Sequence, residues 1–426
     1  MIDPAAEDAA KALADGAPIV LLHGRAGTGK SHFIRHVATQ GQKAPPALLA
    51  PTGLAAMQIG GQTIHSFFGF PPRPLLGFNE KPNWFFSKAA RGLRRLIVDE
   101  ISMLRADMLD AMDRQLQAAR RSPKPFGGVQ VLLVGDFHQL PPVVRGDEGR
   151  LLAEAGYESP FAFSAQALRQ NPVDIFELTT VRRQTDPEFI ALLGAVRDGS
   201  RLEATLDALN GACVNNTLDH APVLLASTNI IADEHNRRGL AALSGETRLF
   251  TGGFKGARAP KTPPTGDRLP APMELALRVG ARVIFTQNDS EGRWVNGSLG
   301  VVIAFEDKTI LVRLDQNRQT VEVGLAKWPQ AKWSWNDKTN ALEVQEEWAY
   351  EQYPLAHAWA ITIHKAQGMT LDHVEIDLGR GAFAAGQTYV ALSRARSMAG
   401  LRLARPLRLR DIQVDPAIAD GLARLK

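Results

Sequence analysis

A glycine-rich stretch near the start of the chain has the residue types and spacing of a phosphate-binding loop. An apolar run over residues 19–22 leads into GRAGTGKS and then into a helical pattern, the order of strand, loop and helix that this motif requires. Backbone N–H groups of such a loop surround phosphate oxygens, and the helix N-terminus adds its partial positive charge. Lys30 would reach the outer phosphates, and the Ser31 hydroxyl would bind Mg²⁺. The predicted nucleotide-binding residues are Gly24, Ala26, Gly27, Thr28, Gly29, Lys30 and Ser31.

Two adjacent carboxylates supply the acid and base groups that a phosphate loop lacks. The apolar run at residues 96–98 is typical of a buried strand, and Asp99 and Glu100 follow it, at the edge where open α/β sheets bind ligands. Asp99 is predicted to hold Mg²⁺, and Glu100 to orient and activate the attacking water. The alternative is that the pair only begins a loop and caps the next helix. Such a pair favours hydrolysis over phosphorylation of a bound acceptor.

The stretch GDFHQLPPV, residues 135–143, ends a third apolar run. Gln139 is predicted to approach the γ-phosphate as an uncharged donor that senses whether this phosphate is present. Pro141 and Pro142 cannot continue a strand ladder, so they direct the chain out of the sheet in an extended path. We therefore expect Gln139 to relay the state of the nucleotide to a ligand beyond the strand ends. A plain exit from strand to loop is the alternative.

Several motifs, taken in their order along the chain, resemble those of a known family. The stretches are APTGLAA (50–56), TIHSFFG (63–69), VDEISML, FGGVQVLLVGDFHQLPPV, LTTVRRQTDPEFI, WVNGSLGVV, AWAITIHKAQGMTLD and YVALSRARS. They are similar to the motif set of superfamily-one helicases, and above all to the PIF-type 5′-to-3′ DNA helicases, with RecD-like and Dda-like enzymes as relatives. The motifs extend from about residue 19 to residue 405, so the resemblance covers nearly the whole chain.

The resemblance implies an α/β fold with two RecA-like P-loop NTPase domains and ATP between them. The first domain is predicted at 1–170, and the second at 171–237 and 354–426. A small Src-homology-three-like β-barrel at 238–353 is expected to close over the DNA strand. Residues 71–90 are expected to hold a short strand-separating wedge, with a surface loop as the alternative. The runs that read as strands of the second domain are VDIFEL, PVLLAST, AWAITI and HVEIDLG.

Two arginines match positions that the family uses to stabilise charge on the transferred phosphate. Arg183 in VRRQ and Arg394 in ALSRAR are the predicted catalytic arginines, and an arginine finger is typically worth about 10³ to 10⁵ in rate. An ordinary surface role stays open for Arg183 and for its counterparts Arg182 and Arg396. Gly368, within TIHKAQGMTLD, is assigned to the nucleotide contacts.

Polar residues at the ends of strands are predicted to bind DNA phosphates without reading the base sequence. Phe67 and Phe137 offer surfaces for base stacking, a contact worth about 1–3 kcal/mol per base, and packing in the core is the alternative for any one aromatic residue. Asn296 is assigned to the DNA strand as well, although Asn-Gly is also a hairpin turn. The predicted DNA-binding residues are Thr52, Thr63, His65, Phe67, Phe137, Asn296, Thr362 and His364.

The composition is that of an ordinary globular protein. The 426 residues are 45% apolar and 22% charged, and the net charge of +4 is weak evidence for a polyanionic partner. A single cysteine, Cys213, excludes an internal disulfide and a cysteine-based zinc cluster. No apolar run reaches the roughly 18 residues of a membrane span, and the N-terminus has no secretion signal. We expect a soluble protein that is not exported, in the cytoplasm or, in a bacterium, with the nucleoid.

These observations predict an ATP-dependent DNA helicase that uses Mg²⁺ and acts as a monomer on single-stranded DNA and on forked or tailed duplexes. RNA–DNA hybrids and G-quadruplexes stay open as further substrates. The alternative is a DNA-stimulated ATPase that moves on DNA without separating its strands. The second motif set argues against a small-molecule kinase, and the retained catalytic residues argue against a pure binding protein. Residues 1–20 lack the upstream glutamine with which the family recognises adenine, which leaves adenine specificity open.

Overall fold

The chain folds into two compact units, each with a parallel sheet. The computed structural model describes residues 3–39, 45–71, 73–77, 82, 84–256, 269–336 and 341–425. The first unit consists of Met1–Arg183, Ala331–Gln345 and Val414–Lys426, and the second of Gln184–Gln330 and Glu346–Gln413. The finer domain boundaries drawn from the sequence stay a prediction.

The first unit is built on a six-stranded sheet in which neighbouring strands are parallel. The strands are β1 (Ile19–Gly24), β2 (Ala47–Ala50), β3 (Gln62–Thr63), β4 (Arg95–Val98), β5 (Gln130–Gly135) and β6 (Asp174–Leu178), in the spatial order β3-β2-β4-β5-β1-β6. Alternate side chains of β1 enter different core clusters, Ile19 and Leu21 one and Val20 and Leu22 the other. Because successive side chains of a strand point to opposite faces, both faces of this sheet are covered, as the apolar runs predict.

Helices α1 to α8 and the C-terminal helix α13 belong to the first unit. Their bounds are α1 (Pro4–Ala14), α2 (Lys30–Thr39), α3 (Gly53–Gln58), α4 (Ile64–Phe68), α5 (Trp84–Gly92), α6 (Ala106–Arg120), α7 (Glu148–Glu154), α8 (Gln166–Arg169) and α13 (Ala417–Leu425). Helix α13 packs on the core of this unit through Ile418 and Leu425. A Cβ atom on Gly421 would lie 2.3 Å from the Phe163 ring, so glycine permits this close approach. The prediction that this terminal segment belongs to the second domain is therefore wrong.

Strand β6 also corrects the sequence analysis. The run VDIFEL reads as a strand of the second domain, yet it pairs in parallel with β1, with Val20 opposite Asp174 and Gly24 opposite Leu178. An apolar run specifies a buried strand but not the sheet that the strand joins, since the pairing depends on neighbours distant in sequence. The pairing places the segment that follows β6 beside the phosphate loop, where the Arg182 N–H donates to the Gly27 carbonyl at 2.8 Å.

The second unit contains a four-stranded parallel sheet in the order β18-β7-β19-β20. Its strands are β7 (Val223–Ala226), β18 (Ala360–Thr362), β19 (Val374–Asp377) and β20 (Leu401–Leu403), and its helices are α9 (Pro187–Asp198), α10 (Leu202–Cys213), α11 (Asn229–Ala241) and α12 (Gln387–Leu392). The runs PVLLAST, AWAITI and HVEIDLG therefore form strands as predicted. Thr228 caps α11 by accepting a hydrogen bond from the Ile231 N–H, so the chain passes from β7 to the helix without a glycine-rich loop.

A series of β-strands occupies the chain between α11 and β18. They are β8 (Arg248–Thr251), β9 (Gly253–Lys255), β10 (Glu274–Leu277), β11 (Arg282–Phe285), β12 (Leu299–Phe305), β13 (Ile310–Leu314), β14 (Thr320–Val323), β15 (Ala326–Asn336), β16 (Ala341–Gln352) and β17 (Leu355–His357). Five of them form one sheet in the order β14-β13-β12-β11-β17, around a core that includes Phe285, Trp294 and Leu355. The closure of these strands into a barrel stays a prediction.

The segment predicted as a wedge contains most of α5, and its buried apolar side chains include Leu75 and Phe86. Residues 72, 78–81 and 83 of that segment lie outside the described residues, and the strand-separating role stays a prediction. Within the described residues, no helix is long and apolar enough to cross a membrane.

Candidate nucleotide site and nucleic-acid interface

The predicted phosphate loop lies between β1 and α2. Gly24 ends β1 where a Cβ atom would lie 2.5 Å from the Leu178 carbonyl oxygen, so only glycine fits. Gly27 and Gly29 have φ angles of 79° and 97°, in the left-handed region that favours glycine. Lys30 begins α2, and its Nζ donates to the carbonyl oxygens of Gly24 at 2.7 Å and Arg25 at 2.8 Å. The ammonium group therefore lies against the loop backbone that would surround a phosphate.

Several charged groups of the first unit converge on Lys30. Burial lowers the pKa of Lys30 and is the largest effect, and the Arg183 guanidinium lowers it further. Three carboxylates oppose this shift, those of Asp136, Glu100 and Asp99. The carboxylates follow β4 and β5, which are parallel to β1 and adjacent in the sheet. The structure thus brings residues from three strand ends to one edge of the sheet.

Asp99 and Glu100 are a strained and electrostatically costly pair. Asp99 is 8% exposed, and burial, with the neighbouring Glu100 carboxylate, raises the pKa of Asp99 to about 7. The Glu100 N–H donates to Asp99 Oδ1 at 2.8 Å, and Glu100 has a φ of 53°, a left-handed conformation that costs energy for a residue other than glycine. Gly135 packs against this turn, since a Cβ there would lie 2.8 Å from the Ile101 backbone nitrogen.

These surroundings fit a divalent cation. A buried carboxylate with a raised pKa is stabilised by a nearby positive charge, and the Ser31 hydroxyl is exposed at the start of α2. Among the described residues, no group of three or more His, Cys, Asp or Glu side chains could hold a metal alone. Mg²⁺ commonly takes one or two protein ligands and completes its shell with water and phosphate oxygens, so Ser31 and Asp99 fit that donor set.

Asp136 is a candidate site residue that the sequence analysis missed. It is fully buried and follows β5, its carbonyl accepts from the Gln139 N–H at 2.9 Å, and its carboxylate raises the pKa of Lys30. The signal was present in GDFHQ, because an aspartate after a buried strand next to β1 must reach the same edge as Asp99. Gln139 itself is 5% exposed, and its predicted contact with the γ-phosphate stays a prediction.

The predicted base contact of Phe137 is wrong. The side chain is 1% exposed and packs edge-on against Phe161 and Phe163, with ring centroids 6.3 and 5.1 Å away. The error arises because the directions of side chains alternate along the chain. A residue beside a polar residue at the end of a strand therefore points into the core as often as to the surface. Phe137 therefore anchors the GDFHQ turn in the core of the first unit.

The other predicted DNA contacts of the first unit lie at the same edge as the phosphate loop. Thr52 follows β2 and Thr63 ends β3, and each hydroxyl accepts a hydrogen bond from a helix N-terminus, from the Ala55 and Ser66 N–H groups respectively. His65 is half-buried, and burial lowers its pKa, with Arg105 adding to the effect. Phe67 is partly buried and packs edge-on against Phe68 and Phe86, which leaves it less surface for a base than the sequence predicts.

In the second unit, two of the predicted contacts lie at the end of β18 and in the loop that follows it. Thr362 is 5% exposed and accepts from the Lys365 N–H at 3.3 Å, whereas His364 is exposed. The His364 ring stacks on Phe383, with centroids 6.2 Å apart and an interplanar angle of 14°. Phe383 is 61% exposed, so these two rings form a flat exposed surface. Phe383 is not predictable as a contact from the sequence, because only the fold brings it beside His364.

Three further predicted residues of the second unit have defined surroundings. Arg394 is 1% exposed, and its Nε donates to the Val390 carbonyl at 2.9 Å. To act as an arginine finger, its guanidinium would have to exchange such bonds for bonds to phosphate oxygens. Gly368 is exposed with a φ of 82°. The Asn296 N–H donates to Asn288 Oδ1 at 2.7 Å, in a turn where Gly297 has a φ of 92°. The roles of Arg394, Gly368 and Asn296 in binding or catalysis stay predictions.

A phosphate loop, a carboxylate pair at the next strand end and a second parallel sheet define a P-loop NTPase with two RecA-like domains. The model of the PIF1-like helicase family matches residues 7–205. The ATP-dependent DNA helicase Pif1 of Bdellovibrio bacteriovorus is 34% identical over 407 residues, which cover 94% of this chain and 87% of that protein. The chain belongs to the PIF1-like helicase family.

Solved structures agree with this assignment. Pif1 from Bacteroides sp in complex with ADP-AlF4 matches with a TM-score of 0.89 at 34% identity, covering 99% of this chain and 96% of that one. Bacteroides Pif1 bound to single-stranded DNA matches with a TM-score of 0.72 at 33% identity and the same coverage. The chain spans 57–58% of the length of its vertebrate relatives.

Proposed function

We propose that this chain is an ATP-dependent DNA helicase that moves 5′-to-3′ along single-stranded DNA and separates duplex strands. The observation that carries the proposal is the convergence of Lys30, Asp99, Glu100 and Asp136 at one edge of the first sheet. A passive nucleotide sensor needs a phosphate loop but not a buried carboxylate pair that costs stability. Hydrolysis needs both, and the family membership connects hydrolysis to DNA.

Each residue of the cluster has a distinct role in the proposed reaction. Mg²⁺, held by Ser31 and Asp99, would neutralise charge on the phosphates. Lys30 would exchange its two carbonyl partners for phosphate oxygens, and Glu100 would accept a proton from the attacking water. Arg183, which already affects the pKa of Lys30, would add positive charge as the phosphate bond breaks.

The DNA strand would be held by loop residues rather than by a basic groove. Thr52 and Thr63 cap short helices at the carboxyl edge of the first sheet, where helix N–H groups also favour phosphates. In the second unit, the stacked pair of His364 and Phe383 offers a flat surface for a base. Related Pif1 bound to single-stranded DNA supports this assignment of the ligand.

Strand separation is tested with duplexes that carry a 5′ tail, a 3′ tail or both. We expect unwinding that requires ATP, Mg²⁺ and a 5′ tail. ATP hydrolysis stimulated by DNA, with no strand release from any tailed duplex, would identify a translocase instead. Light scattering with and without fork DNA tests the further proposal that the protein acts as a monomer.

Replacement of Glu100 by Gln tests the assignment of the catalytic base. The variant keeps the side-chain shape, so ATP binding should be retained, while DNA-stimulated hydrolysis should fall by about 10²-fold or more, because the proton acceptor is lost. Nucleotide binding is measured by fluorescence titration and turnover by phosphate release. Near-normal turnover would show that another group accepts the proton.

A further inference from the structure

The first sheet has a second charged region, at the edge opposite the phosphate loop. Segments 84–98 and 114–135 each contain four basic residues and no Asp or Glu, in a chain whose charges are nearly balanced as a whole, at 49 basic and 45 acidic residues. The basic residues are Lys88, Arg91, Arg94, Arg95, Arg114, Arg120, Arg121 and Lys124. Segment 84–98 holds α5 and β4, and segment 114–135 holds the end of α6 and β5. The fold therefore brings two uniformly basic segments to neighbouring strands.

A pocket of about 320 Å³ lies between these segments. It is lined by Arg91, Arg120, Ser122, Lys124, Gly127 and Gly128. Arg120 holds the frame together, because its Nε donates to the Gly127 carbonyl at 2.7 Å and its Nη1 to the carbonyls of Ala90 at 2.6 Å and Leu93 at 2.9 Å. One guanidinium thus fixes the end of α5 against the turn that precedes β5.

The turn that forms one wall requires glycine. Phe126 and Gly127 have left-handed backbone conformations, and a Cβ on Gly127 would lie 2.5 Å from the Leu116 carbonyl oxygen. The Phe126 ring is fully buried, so it anchors the turn. Arg91 and Lys124 are exposed, and neither forms an ion pair with any residue that the structure describes. The pocket therefore presents two cations on a rigid frame, with no carboxylate in its lining.

The position of this pocket separates it from the nucleotide site. Segment 84–98 enters β4 at Arg95, the turn enters β5 at Gln130, and the Gln130 N–H donates to the Arg94 carbonyl at 3.0 Å. These are the amino ends of β4 and β5, whereas the phosphate loop follows the carboxyl end of β1. Because the three strands are parallel, the pocket and the loop lie at opposite edges of the sheet.

We propose that this basic pocket binds backbone phosphates of a second DNA segment, distinct from the strand held at the carboxyl edge. Guanidinium, ammonium and hydroxyl donors are the groups that bind phosphate oxygens without reading sequence. The lining has no large apolar side chain, so it offers no anchor for an acidic peptide, which would need apolar contacts to bind specifically. At a fork, the second segment is the duplex or the displaced strand. The inference rests on the proposed function, since it assumes that DNA is bound at the other edge.

The test compares the double variant Arg91→Glu with Lys124→Glu against Lys11→Glu, a control with one exposed lysine of α1 outside the pocket. Binding of a forked duplex and of a single strand of about 8 nucleotides is measured by fluorescence anisotropy at several salt concentrations. We expect the double variant to bind the fork at least about tenfold more weakly. The slope of log affinity against log salt concentration should fall by the amount that corresponds to the loss of one to two phosphate contacts. Its affinity for the short strand and its ATP turnover on that strand should stay within about twofold of wild type, as for Lys11→Glu.

Other outcomes overturn the inference. Unchanged fork binding and salt dependence would show that the pocket takes no DNA, and an equal loss for the short strand would show that it belongs to the strand already bound. Loss of binding to an acidic peptide with fork binding intact would assign the pocket to a protein partner instead. Failure of the proposed function is distinct, because the wild-type protein itself would then show no DNA-stimulated ATP hydrolysis. Thermal unfolding of each variant confirms that it is folded.

Discussion

Two buried aspartates, one in each unit, have opposite electrostatic surroundings. Asp99 in the first unit has a raised pKa because it is buried beside Glu100. Asp411 in the second unit is fully buried, and burial by itself raises its pKa, yet hydrogen bonds from Arg405 and the Arg408 N–H more than offset this, so the pKa lies below its ordinary value. Arg405 donates to both Asp411 oxygens, at 2.7 and 3.0 Å.

The two carboxylates differ in whether protein groups compensate for their burial. Asp411 has partners that compensate its burial, and through Arg405, which also donates to the Gly379 carbonyl at 3.1 Å, it ties the segment after β20 to the segment after β19. Asp99 has no such compensation, because burial and the Glu100 carboxylate outweigh its hydrogen bond from the Glu100 N–H and the charge of Lys30 and leave its pKa raised. Strain of this kind concentrates where a protein acts, so the contrast supports the proposed role of Asp99 as a ligand of Mg²⁺ and a structural role for Asp411.

The largest expected effect is on catalysis by Asp99→Asn. Removal of a ligand to Mg²⁺ should lower DNA-stimulated ATP hydrolysis by about 10²- to 10³-fold, since the charge stabilisation that a metal supplies is worth several kcal/mol. Phosphate release at saturating Mg²⁺ measures this effect. Asp207→Asn, at an exposed aspartate of α10, is the control and should leave the rate unchanged. Equal rates for Asp99→Asn and Asp207→Asn would show that hydrolysis does not need the Asp99 carboxylate. The proposed difference in role between Asp99 and Asp411 would then be wrong.

The next effect is on stability, from Asp411→Asn. Loss of the charge-assisted bonds with Arg405 should lower the free energy of unfolding by about 2 kcal/mol at pH 7, in the range for hydrogen bonds to charged groups. Urea unfolding followed by circular dichroism measures it. Asp207→Asn should remain within about 0.5 kcal/mol of wild type. A comparably small change for Asp411→Asn would mean that the Asp411–Arg405 pair makes no net contribution to the free energy of unfolding.

The pH dependence of that loss has a definite sign. Because the pKa of Asp411 is lower in the folded than in the unfolded protein, its carboxylate stabilises the fold above the ordinary aspartate pKa of about 4. This contribution disappears as the pH falls through the lowered value. The difference in stability between wild type and Asp411→Asn should therefore be constant near neutrality and shrink below about pH 4. A difference that grows on acidification would contradict the assignment.

The smallest effect is a gain in stability from Asp99→Asn without nucleotide or Mg²⁺. The amide carries no charge to repel Glu100, and its oxygen can still accept from the Glu100 N–H, so we expect about 1 kcal/mol of stabilisation at pH 8. Urea unfolding of the nucleotide-free proteins measures it. Destabilisation instead would show that Lys30 already compensates the Asp99 charge.

Much of the nucleotide site is predictable because its signals are local. A buried strand, a glycine-rich loop and a helix start lie within residues 19–31, and a carboxylate pair follows the strand that ends at Val98. The parallel sheet then brings these strand ends together. Phe137 and Phe383 were not predictable, because burial of one ring and exposure of the other depend on segments distant in sequence. The basic pocket was missed for the same reason, since its two segments are about 30 residues apart.

The sequence by itself predicted which residues bind phosphates, hold a cation and activate water, because those predictions depend on side-chain chemistry and on short spacings. It also determined the family, through motifs spread over the chain. The tertiary structure alone decided that β6 joins β1, that Phe383 lies beside His364 and that Phe137 lies in the core. Strand pairing and burial result from the packing of the whole chain, in which each contact depends on partners that no local pattern specifies.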